Sequence, residues 1–183
     1  MDSMKLVSIV GMTGAGKSEV SRIFEKKGFT KIRFGDITDE EIKKRNLKPG
    51  EESERLVRED LRREQGPAAY AKLNQPRIEQ ALKKSDVVID GLYSWEEYTY
   101  LKSRYGKDLY LVAVWSSPQT RYQRLAGRSS RRLTVEEAMG RDRAEIENTQ
   151  KGGPVAMADF TIVNESSLED LKKEAERIIA SLR

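Results

Sequence analysis

The sequence contains no cysteine and no histidine. Without cysteine, the chain can form neither disulfide bonds nor metal sites with thiolate ligands, and cysteine usage says nothing about its redox compartment. Without histidine, imidazole is excluded as a general acid, a general base or a metal ligand. Any proton transfer must therefore use a carboxylate, a lysine, a tyrosine or solvent.

Long apolar runs are also missing. No stretch approaches the roughly 20 apolar residues that a membrane-spanning helix requires. The first predicted strand starts so near the amino terminus that no room is left for a signal peptide. We therefore expect a cytoplasmic protein with no membrane partner.

Neither sign of charge is in large excess. The chain has 34 Lys and Arg residues against 30 Asp and Glu residues, a formal net charge of +4. This mild excess argues against nucleic acid as a partner, because nucleic-acid-binding domains usually carry a stronger basic bias. The length of 183 residues fits a single domain over 1–183. The composition leaves the oligomeric state open.

A glycine-rich segment follows an apolar run at residues 6–10. Residues 11–18 fit the phosphate-binding pattern G-x-x-x-x-G-K-[ST]. They are Gly11, Met12, Thr13, Gly14, Ala15, Gly16, Lys17 and Ser18. In such a loop, backbone N–H groups point at phosphate oxygens, the lysine adds a positive charge, and the serine hydroxyl can ligate Mg²⁺. The alternative is an ordinary glycine-rich turn, but the strand pattern before it and the helical pattern after it indicate nucleotide binding.

Short apolar, β-branched runs alternate with helical patterns along the chain. The runs lie at residues 5–10, 31–34, 86–89, 109–115 and 160–163. Such strands, separated by helices, predict an α/β fold with a mostly parallel sheet covered on both faces. The two long stretches between them are mainly helical and charged, and we expect the substrate-gripping parts of the molecule there.

Capping-box patterns predict three helix starts. Thr38, Ser94 and Thr134 each supply an acceptor side chain that is followed three residues later by a glutamate. Near the carboxyl end, the apolar spacing over 168–182 predicts an amphipathic closing helix.

Two aspartates follow predicted strands. Asp90 comes directly after the run 86–89, and Asp36 lies two residues after the run 31–34. The carboxyl ends of parallel strands line the ligand crevice of an α/β sheet. We predict that Asp90 holds Mg²⁺ and that Asp36 faces the phosphate acceptor and takes its hydroxyl proton. The alternatives are a turn-forming role for Asp90 and a helix N-cap for Asp36.

Seven arginines fall between positions 121 and 143. Phosphoryl transfer spreads negative charge over the transferring group, which guanidinium groups can stabilise. Glycine and serine at 127–130 give this stretch the character of a hinged lid. We predict phosphate contacts by Arg124, Arg128 and Arg132. The alternative is a solvated basic face paired with nearby glutamates.

A second set of arginines lies on one face of a predicted helix. Arg55, Arg58 and Arg62 fall within about 80° of each other at 3.6 residues per turn. They either grip the phosphate of an acceptor or support the helix through Glu–Arg pairs four residues apart.

Three further segments have weaker signals. Residues 151–154, Lys-Gly-Gly-Pro, are interpreted as a loop. Asn164 follows the last predicted strand, so its amide can meet the nucleotide base. Tyr93 and Trp95 trail Asp90 into the crevice, where an aromatic ring can stack on a base.

Taken together, these segments resemble the P-loop nucleotide kinase superfamily, which includes nucleoside monophosphate kinases and dephospho-coenzyme A kinases. The shared order is the P-loop, Phe-Gly-Asp at 34–36, Val-Ile-Asp-Gly at 88–91, an arginine-rich lid and the segment 159–165. More closely, the chain resembles a group of mostly archaeal adenylate-kinase-related proteins of the UPF0200 type. The likeness covers nearly the whole chain.

The resemblance implies a three-layer P-loop NTPase fold with a five-stranded parallel sheet in the order 2-3-1-4-5. It implies an acceptor-binding insertion at about 36–85 and a helical lid at about 124–150. ATP with Mg²⁺ would be the donor, and a nucleoside monophosphate or dephospho-coenzyme A the acceptor. Carried onto this sequence, catalysis is assigned to Lys17, Asp36, Arg124 and Arg128, the metal to Ser18 and Asp90, and the adenine side to Asn164.

One departure from the kinase pattern keeps a second function open. Adenylate kinases follow the Asp-Gly of strand three with an aromatic residue, a proline and an arginine that holds the acceptor phosphate. This chain has Leu92, Tyr93 and Ser94 there. The leading hypothesis is ATP-dependent phosphotransfer to a small nucleotide-like acceptor. The alternative is a nucleotide-sensing binding module, or an ATPase without small-molecule kinase activity.

Overall fold

A parallel β-sheet forms the middle layer of the molecule. The computed structural model describes residues 4–182, apart from the side chain of Glu51. Within that range the strands are β1 (Leu6–Val10), β2 (Thr30–Arg33), β3 (Val87–Asp90), β4 (Leu109–Trp115) and β5 (Phe160–Val163). They lie in the order β2-β3-β1-β4-β5, and every neighbouring pair is parallel. The predicted fold class and strand order are confirmed.

The strand limits differ slightly from the predicted ones. The strands at 109–115 and 160–163 begin and end at the predicted residues, whereas the other three differ by one residue at one or both ends. The first strand starts after Lys5 because the N–H of that residue donates to the Asp86 carboxylate, 2.8 Å away, instead of joining the ladder. The third strand includes Asp90, which lies in register with Ile9 of β1.

Helices cover both faces of the sheet. They are α1 (Lys17–Lys26), α2 (Asp36–Lys44), α3 (Glu51–Gln65), α4 (Ala69–Ala81), α5 (Trp95–Tyr105), α6 (Pro118–Ala126), α7 (Val135–Glu147), α8 (Gly152–Ala156) and α9 (Leu168–Ser181). One apolar cluster joins α1 and α9 to the sheet, and the other joins α2 to α5 to its opposite face. Because α9 buries Leu171, Ala175, Ile178 and Ile179, the predicted closing helix is confirmed.

The alternation of side chains along each strand builds these two clusters. All five residues of β1 are buried. Leu6 and Val10 join the cluster on the α3 side, while Val7 and Ile9 join the cluster on the α1 side. Each fully buried aliphatic side chain contributes roughly 1.5–3 kcal/mol through its removal from water. The strand is therefore fixed from both faces, and the loop that follows it is held on a rigid element.

The three predicted helix starts have different outcomes. Thr134 forms a complete capping box with Glu137, as predicted. Ser94 caps α5 by accepting from the N–H of Glu97. The glutamate, however, does not return the bond to Ser94, since its carboxylate accepts from the N–H of Tyr93.

The prediction for Thr38 is wrong. Helix α2 starts at Asp36 with Gly35 as its N-cap. Strand β2 ends at Arg33 and the chain turns almost at once into the helix, which places Thr38 inside its first turn. There the Thr38 hydroxyl is buried and bonds to the Tyr70 hydroxyl at 2.6 Å.

The segment at 151–154 is not a loop either. Lys151 is the N-cap of α8, which includes Gly152 and Gly153. A Cβ on Gly153 would overlap the ring of Trp95, so the small residue allows α8 to pack closely on the start of α5. Among the helices of residues 4–182, none has both the length and the apolar character that crossing a membrane requires.

Candidate nucleotide-binding site

The loop at residues 11–18 (hereafter the P-loop) connects β1 to α1 and is tightly enclosed. Gly11 has φ +145°, and a Cβ there would overlap the carbonyl oxygen of Val114 on β4. Gly16 is the N-cap of α1 with φ +107°, and a Cβ there would overlap the amide of Asn164. No side chain among the described residues caps α1. The first N–H groups of α1 are thus free to bind an anion, with the positive end of the helix dipole behind them.

Lys17 is the first residue of α1 and is partly buried. Its ammonium group donates to the carbonyl oxygen of Met12, 3.0 Å away, and so curls over the P-loop. Burial and the nearby charge of Lys151 lower the pKa of Lys17 to about 7, although Glu145 and Asp90 oppose the shift. A cation held away from water in this way gains strongly from any anion that reaches it.

Glu145 of α7 connects the P-loop to the segment after α7. Its Oε1 accepts from the Thr13 hydroxyl at 2.7 Å, and its Oε2 pairs with the Lys151 ammonium at 2.8 Å. Burial by itself would raise the pKa of Glu145. The charge and hydrogen bond of Lys151, the Thr13 hydroxyl and the charge of Lys17 outweigh it and lower the pKa to about 2. This carboxylate is therefore ionised at every physiological pH.

Lys151 is a lysine close to Lys17 that is fully buried. It is 1% exposed, and its ammonium lies 5.6 Å from the centre of the Tyr93 ring. Burial lowers its pKa, and the charge of Glu145 opposes that shift. The sequence marked this residue only as part of a loop. Nothing in its local pattern signals burial, because the pocket around it is formed by α5, α7 and the P-loop together.

Arg121 of α6 connects α7 to the P-loop. Its guanidinium group binds both carboxylate oxygens of Asp142 at 2.8 and 2.6 Å and the carbonyl oxygen of Thr13 at 3.1 Å. It also donates to the carbonyl oxygen of Ser116. Its donors bind protein oxygens, so Arg121 fixes the P-loop, the segment after β4 and α7 relative to one another.

Arg124 and Asn164 lie together on the β5 side of the P-loop. Arg124 donates to the Ser116 hydroxyl and to the carbonyl oxygen of Asn164, each at 2.9 Å. The Asn164 side-chain amide donates to the carbonyl oxygen of Ala15 at 2.8 Å. Both residues thus border the P-loop and hold the segment after β5 against it.

Arg128 lies between α6 and α7 beside two other arginines. Burial and the like charges of Arg141 and Arg131 lower its pKa. Arg132 is exposed in the same segment. Arg131 reaches across to α3, where its guanidinium group pairs with Glu54 at 2.9 Å. The segment between α6 and α7 thereby contacts α3.

Asp90 and Ser18 occupy the carboxyl edge of the sheet. Asp90 ends β3 next to β1, is largely buried, and lies 3.6 Å from the Lys31 ammonium. Ser18 is the second residue of α1. No group of three or more acidic side chains that could hold a metal ion exists among the described residues. A cation here would need phosphate oxygens to complete its coordination, which is the usual arrangement for Mg²⁺ with a nucleotide.

Asp36 has a different environment from the one expected of a buried base. It begins α2, its side chain is 46% exposed, and Arg33 binds it at 2.8 Å. The same guanidinium group binds Asp39 at 2.9 Å. Asp36 lies at the carboxyl edge of β2, as predicted from its position after the strand, but in an exposed ion-pair cluster.

A buried carboxyl group lies on the α5 side of the sheet instead. Glu97 is 0% exposed, and its Oε2 accepts from the N–H of Tyr93 at 2.9 Å. Burial raises the pKa of Glu97 to about 7. From the sequence, Glu97 was identified only as a capping residue, because the capping pattern does not reveal which helix face packs inward.

A parallel sheet in the order 2-3-1-4-5, with a glycine-rich phosphate loop between β1 and α1, defines a P-loop protein of the kinase-like class. The chain belongs to the family described as "AAA domain", whose model matches residues 7–148, and to the UPF0200 proteins. It is 36% identical over 181 residues to a UPF0200 protein of Thermococcus sibiricus, covering 97% of this chain and 95% of that one. It is 35% identical over 183 residues to a UPF0200 protein of Sulfurisphaera tokodaii, covering 98% of each chain.

Solved structures share the fold at low sequence identity. The TT1252 protein from Thermus thermophilus has a TM-score of 0.63 and 21% identity, with both chains covered completely. A shikimate kinase from Bacteroides thetaiotaomicron also has a TM-score of 0.63, with 15% identity and 98% of each chain covered. A dephospho-CoA kinase from Campylobacter jejuni has a TM-score of 0.58 and 15% identity, covering 99% of this chain and 98% of that one. These likenesses establish a P-loop kinase-like fold.

Proposed function

We propose that the protein transfers the γ-phosphate of ATP to a small acceptor molecule. The observation that carries this proposal is the pair of lysines beside the P-loop, the partly buried Lys17 and the fully buried Lys151, which both lie near the Glu145 carboxylate. Glu145 acts on both ammonium groups and Asp90 on Lys17, and the uncapped N–H groups at the start of α1 add positive potential beside the loop. A triphosphate supplies the negative charge that such a place lacks.

The donor side follows from the P-loop. The first N–H groups of α1 bind the β- and γ-phosphate oxygens, and Lys17 turns from the Met12 carbonyl oxygen to the phosphates. Ser18 and Asp90 would hold Mg²⁺, which neutralises charge on the β- and γ-phosphates when it is bound. The hydroxyl and carboxylate donors at the sheet edge suit that ion.

The lid side supplies further cations. Arg128 and Arg141 lie close enough to repel each other, so an anion between them relieves that repulsion. Arg128 therefore suits the charge that develops on the transferring phosphoryl group. Arg124 and Asn164 border the β5 side of the P-loop and suit the base side of the nucleotide.

The acceptor is bound in the part of the molecule formed by residues 36–85. Among the fold neighbours are kinases named for gluconate, shikimate and dephospho-CoA, which supports a small-molecule acceptor in this protein. A nucleoside monophosphate and dephospho-coenzyme A remain the two acceptor types to test first. Asp36 orients the acceptor from the edge of β2.

The test is phosphate transfer from labelled ATP to a panel that contains both acceptor types. Lys17→Ala should lower the rate by about 100-fold or more, as removal of one aligned charge-stabilising group does in other enzymes. Lys26→Ala, an exposed lysine on the same helix, is the matched control and should leave the rate unchanged. Tight ATP binding without product from any acceptor would contradict the kinase proposal and favour a nucleotide-sensing module instead.

A further inference from the structure

A cluster of polar and aromatic side chains lies between α3 and α5, on the side of the sheet assigned to the acceptor. The Arg62 guanidinium carbon is 5.4 Å from the centre of the Tyr70 ring, and that ring is 6.1 Å from the Tyr93 ring. The N–H of Tyr93 in turn donates to Glu97. The Lys151 ammonium group lies over the Tyr93 ring. Lys151 also pairs with Glu145, which binds Thr13 of the P-loop. The cluster therefore continues from the phosphate site.

Two atoms of this cluster are buried without a hydrogen-bond partner in the described part of the chain. They are Glu97 Oε1 and Arg62 Nε. Arg62 contacts the Tyr70 ring, Tyr70 packs on Tyr93, and the N–H of Tyr93 donates to Glu97, so the two unpaired atoms belong to residues of one contiguous cluster. Buried polar atoms are nearly always paired, because an unpaired one gives up its bonds to water and gains none in return. One acceptor and one donor left over together indicate a ligand that pairs with both.

The chemistry of the two atoms restricts that ligand. A carboxylate oxygen accepts hydrogen bonds and repels anions, so Glu97 would oppose a phosphate group but binds a hydroxyl. A hydroxyl can donate to Glu97 and at the same time accept from the Arg62 Nε–H group. Arg62 is only half-buried, so the ligand can enter from that end of the cluster.

We infer that Arg62 and Glu97 bind the acceptor and that the group phosphorylated is a hydroxyl rather than a phosphate. This inference rests on the proposed kinase function and deepens it. Of the two acceptor types, the one that is phosphorylated on a hydroxyl, dephospho-coenzyme A, fits the site, whereas the phosphate of a nucleoside monophosphate does not.

The transfer step balances with Glu97 as the proton acceptor. The acceptor oxygen forms a bond to the γ-phosphorus, and the bond from that phosphorus to the β–γ bridging oxygen breaks. ADP leaves with the electron pair. The hydroxyl proton passes to Glu97 Oε1, and the products are ADP, a phosphomonoester and a protonated carboxyl group. Glu97 thereby takes the role that the sequence suggested for Asp36.

The protonation of Glu97 gives this step a recognisable pH dependence. Burial holds its pKa near 7, with Glu96 acting in the same direction and Arg62, Lys151 and the Tyr93 N–H group acting against it. The proton-accepting carboxylate therefore forms as the pH rises through about 7. The rate of a hydroxyl-acceptor kinase should rise over the same range.

The experiment compares acceptors that differ in the group they offer. Dephospho-coenzyme A and adenosine offer hydroxyls, whereas 2′,3′-dideoxyadenosine monophosphate offers a phosphate but no sugar hydroxyl. With labelled ATP, ³¹P NMR separates a phosphomonoester product from a phosphoanhydride. We expect a phosphomonoester from a hydroxyl compound and no reaction with the dideoxy nucleotide. A phosphoanhydride from the dideoxy nucleotide would overturn the inference.

Variants test the residues. Glu97→Gln keeps the shape of the side chain and should lower kcat by about 100-fold while abolishing the rise near pH 7. Glu96→Gln, its neighbour on α5, should stay within about twofold of the wild type in kcat. Arg62→Lys should raise the acceptor KM by about tenfold, since lysine lacks the Nε–H donor, whereas Arg63→Lys on the exposed face of α3 should not. Wild-type rates in both Glu97→Gln and Arg62→Lys would overturn the assignment.

Calorimetry with ATP shows whether a negative result contradicts the proposed kinase function or only the inference of a hydroxyl acceptor. If the wild type does not bind ATP, the proposed kinase function itself is wrong. If it binds ATP through Lys17 but phosphorylates neither hydroxyl compound, the nucleotide site stands and the hydroxyl inference is wrong.

Discussion

Burial gives Lys17 its chemical character at the scale of the single residue. Any P-loop lysine is positively charged in water, but this one has a pKa near 7 because partial burial and the nearby charge of Lys151 both lower it. At neutral pH the residue therefore lies at its titration midpoint. A bound phosphate restores the charge, because an anion nearby favours the protonated form.

This leads to a prediction about protons taken up with ATP. Below about pH 6 Lys17 is already charged, so ATP binding should take up few protons at this site. At pH 8.5 the free protein holds Lys17 mostly neutral, and binding should take up close to one proton and weaken as the pH rises. Calorimetry in buffers of different ionisation enthalpy measures the uptake.

The control for that measurement is Lys17→Arg. Arginine stays protonated, so the proton uptake that Lys17 contributes at pH 8.5 should be lost. Equal uptake in the variant and the wild type would assign the effect to another group.

The residues of this site differ in how far the sequence could predict them. Lys17 and Ser18 belong to a contiguous pattern whose chemistry depends on neighbouring backbone groups. The pattern is therefore enough to predict a phosphate-binding loop. Lys151 and Glu145 act through contacts between segments more than a hundred residues from the P-loop in the chain. Neither lies in a pattern that marks function.

At the scale of elements, one buried ion pair holds α6 and α7 together. Arg121 is almost fully buried and binds Asp142 with two hydrogen bonds, and the Tyr122 hydroxyl donates to the same carboxylate. The seven arginines of this stretch therefore do not share one role. Arg121 fixes α7 against α6, while Arg128 lies beside other cations.

We predict that Asp142→Ala lowers the free energy of unfolding by about 3–5 kcal/mol, because it leaves the Arg121 charge buried without its partner. Urea denaturation followed by circular dichroism measures the change. Arg143→Ala removes a partner of the exposed pair Arg143–Glu147, whose side chains are 79% and 65% accessible. It should change stability by no more than about 1 kcal/mol. A similar loss in both variants would show that burial does not govern the effect.

At the scale of the whole molecule, Glu145 joins parts that are remote in the chain. It binds Thr13 in the P-loop, belongs to α7, and pairs with Lys151 at the start of α8. Because its pKa in the folded protein is about 2 and the ordinary value is 4.5, its stabilising effect is complete above about pH 4.5. The effect is lost as the pH falls through 2, where the folded protein also binds the proton.

Glu145→Gln should therefore lower the free energy of unfolding by about 3 kcal/mol at pH 7, given 1.36 kcal/mol per pKa unit. The difference from the wild type should shrink between about pH 4.5 and 2. Denaturation curves at several pH values give the comparison. Glu147→Gln, two residues further on an exposed face of the same helix, should show no such pH dependence. A difference that stays constant with pH would remove ionisation as its cause.

The sequence by itself determined the phosphate loop, the strand-helix alternation and half of the strand limits, because each depends on residues that are neighbours in the chain. The tertiary structure alone decided which charged side chains became buried. Parallel connections bring the ends of distant strands to one edge of the sheet, and the helices that follow them meet there. This packing shifts the pKa of Lys151 and of Glu97 and leaves one polar atom of Glu97 and one of Arg62 without a hydrogen-bond partner among the described residues. Desolvation depends on what packs around a group and not on its neighbours in sequence.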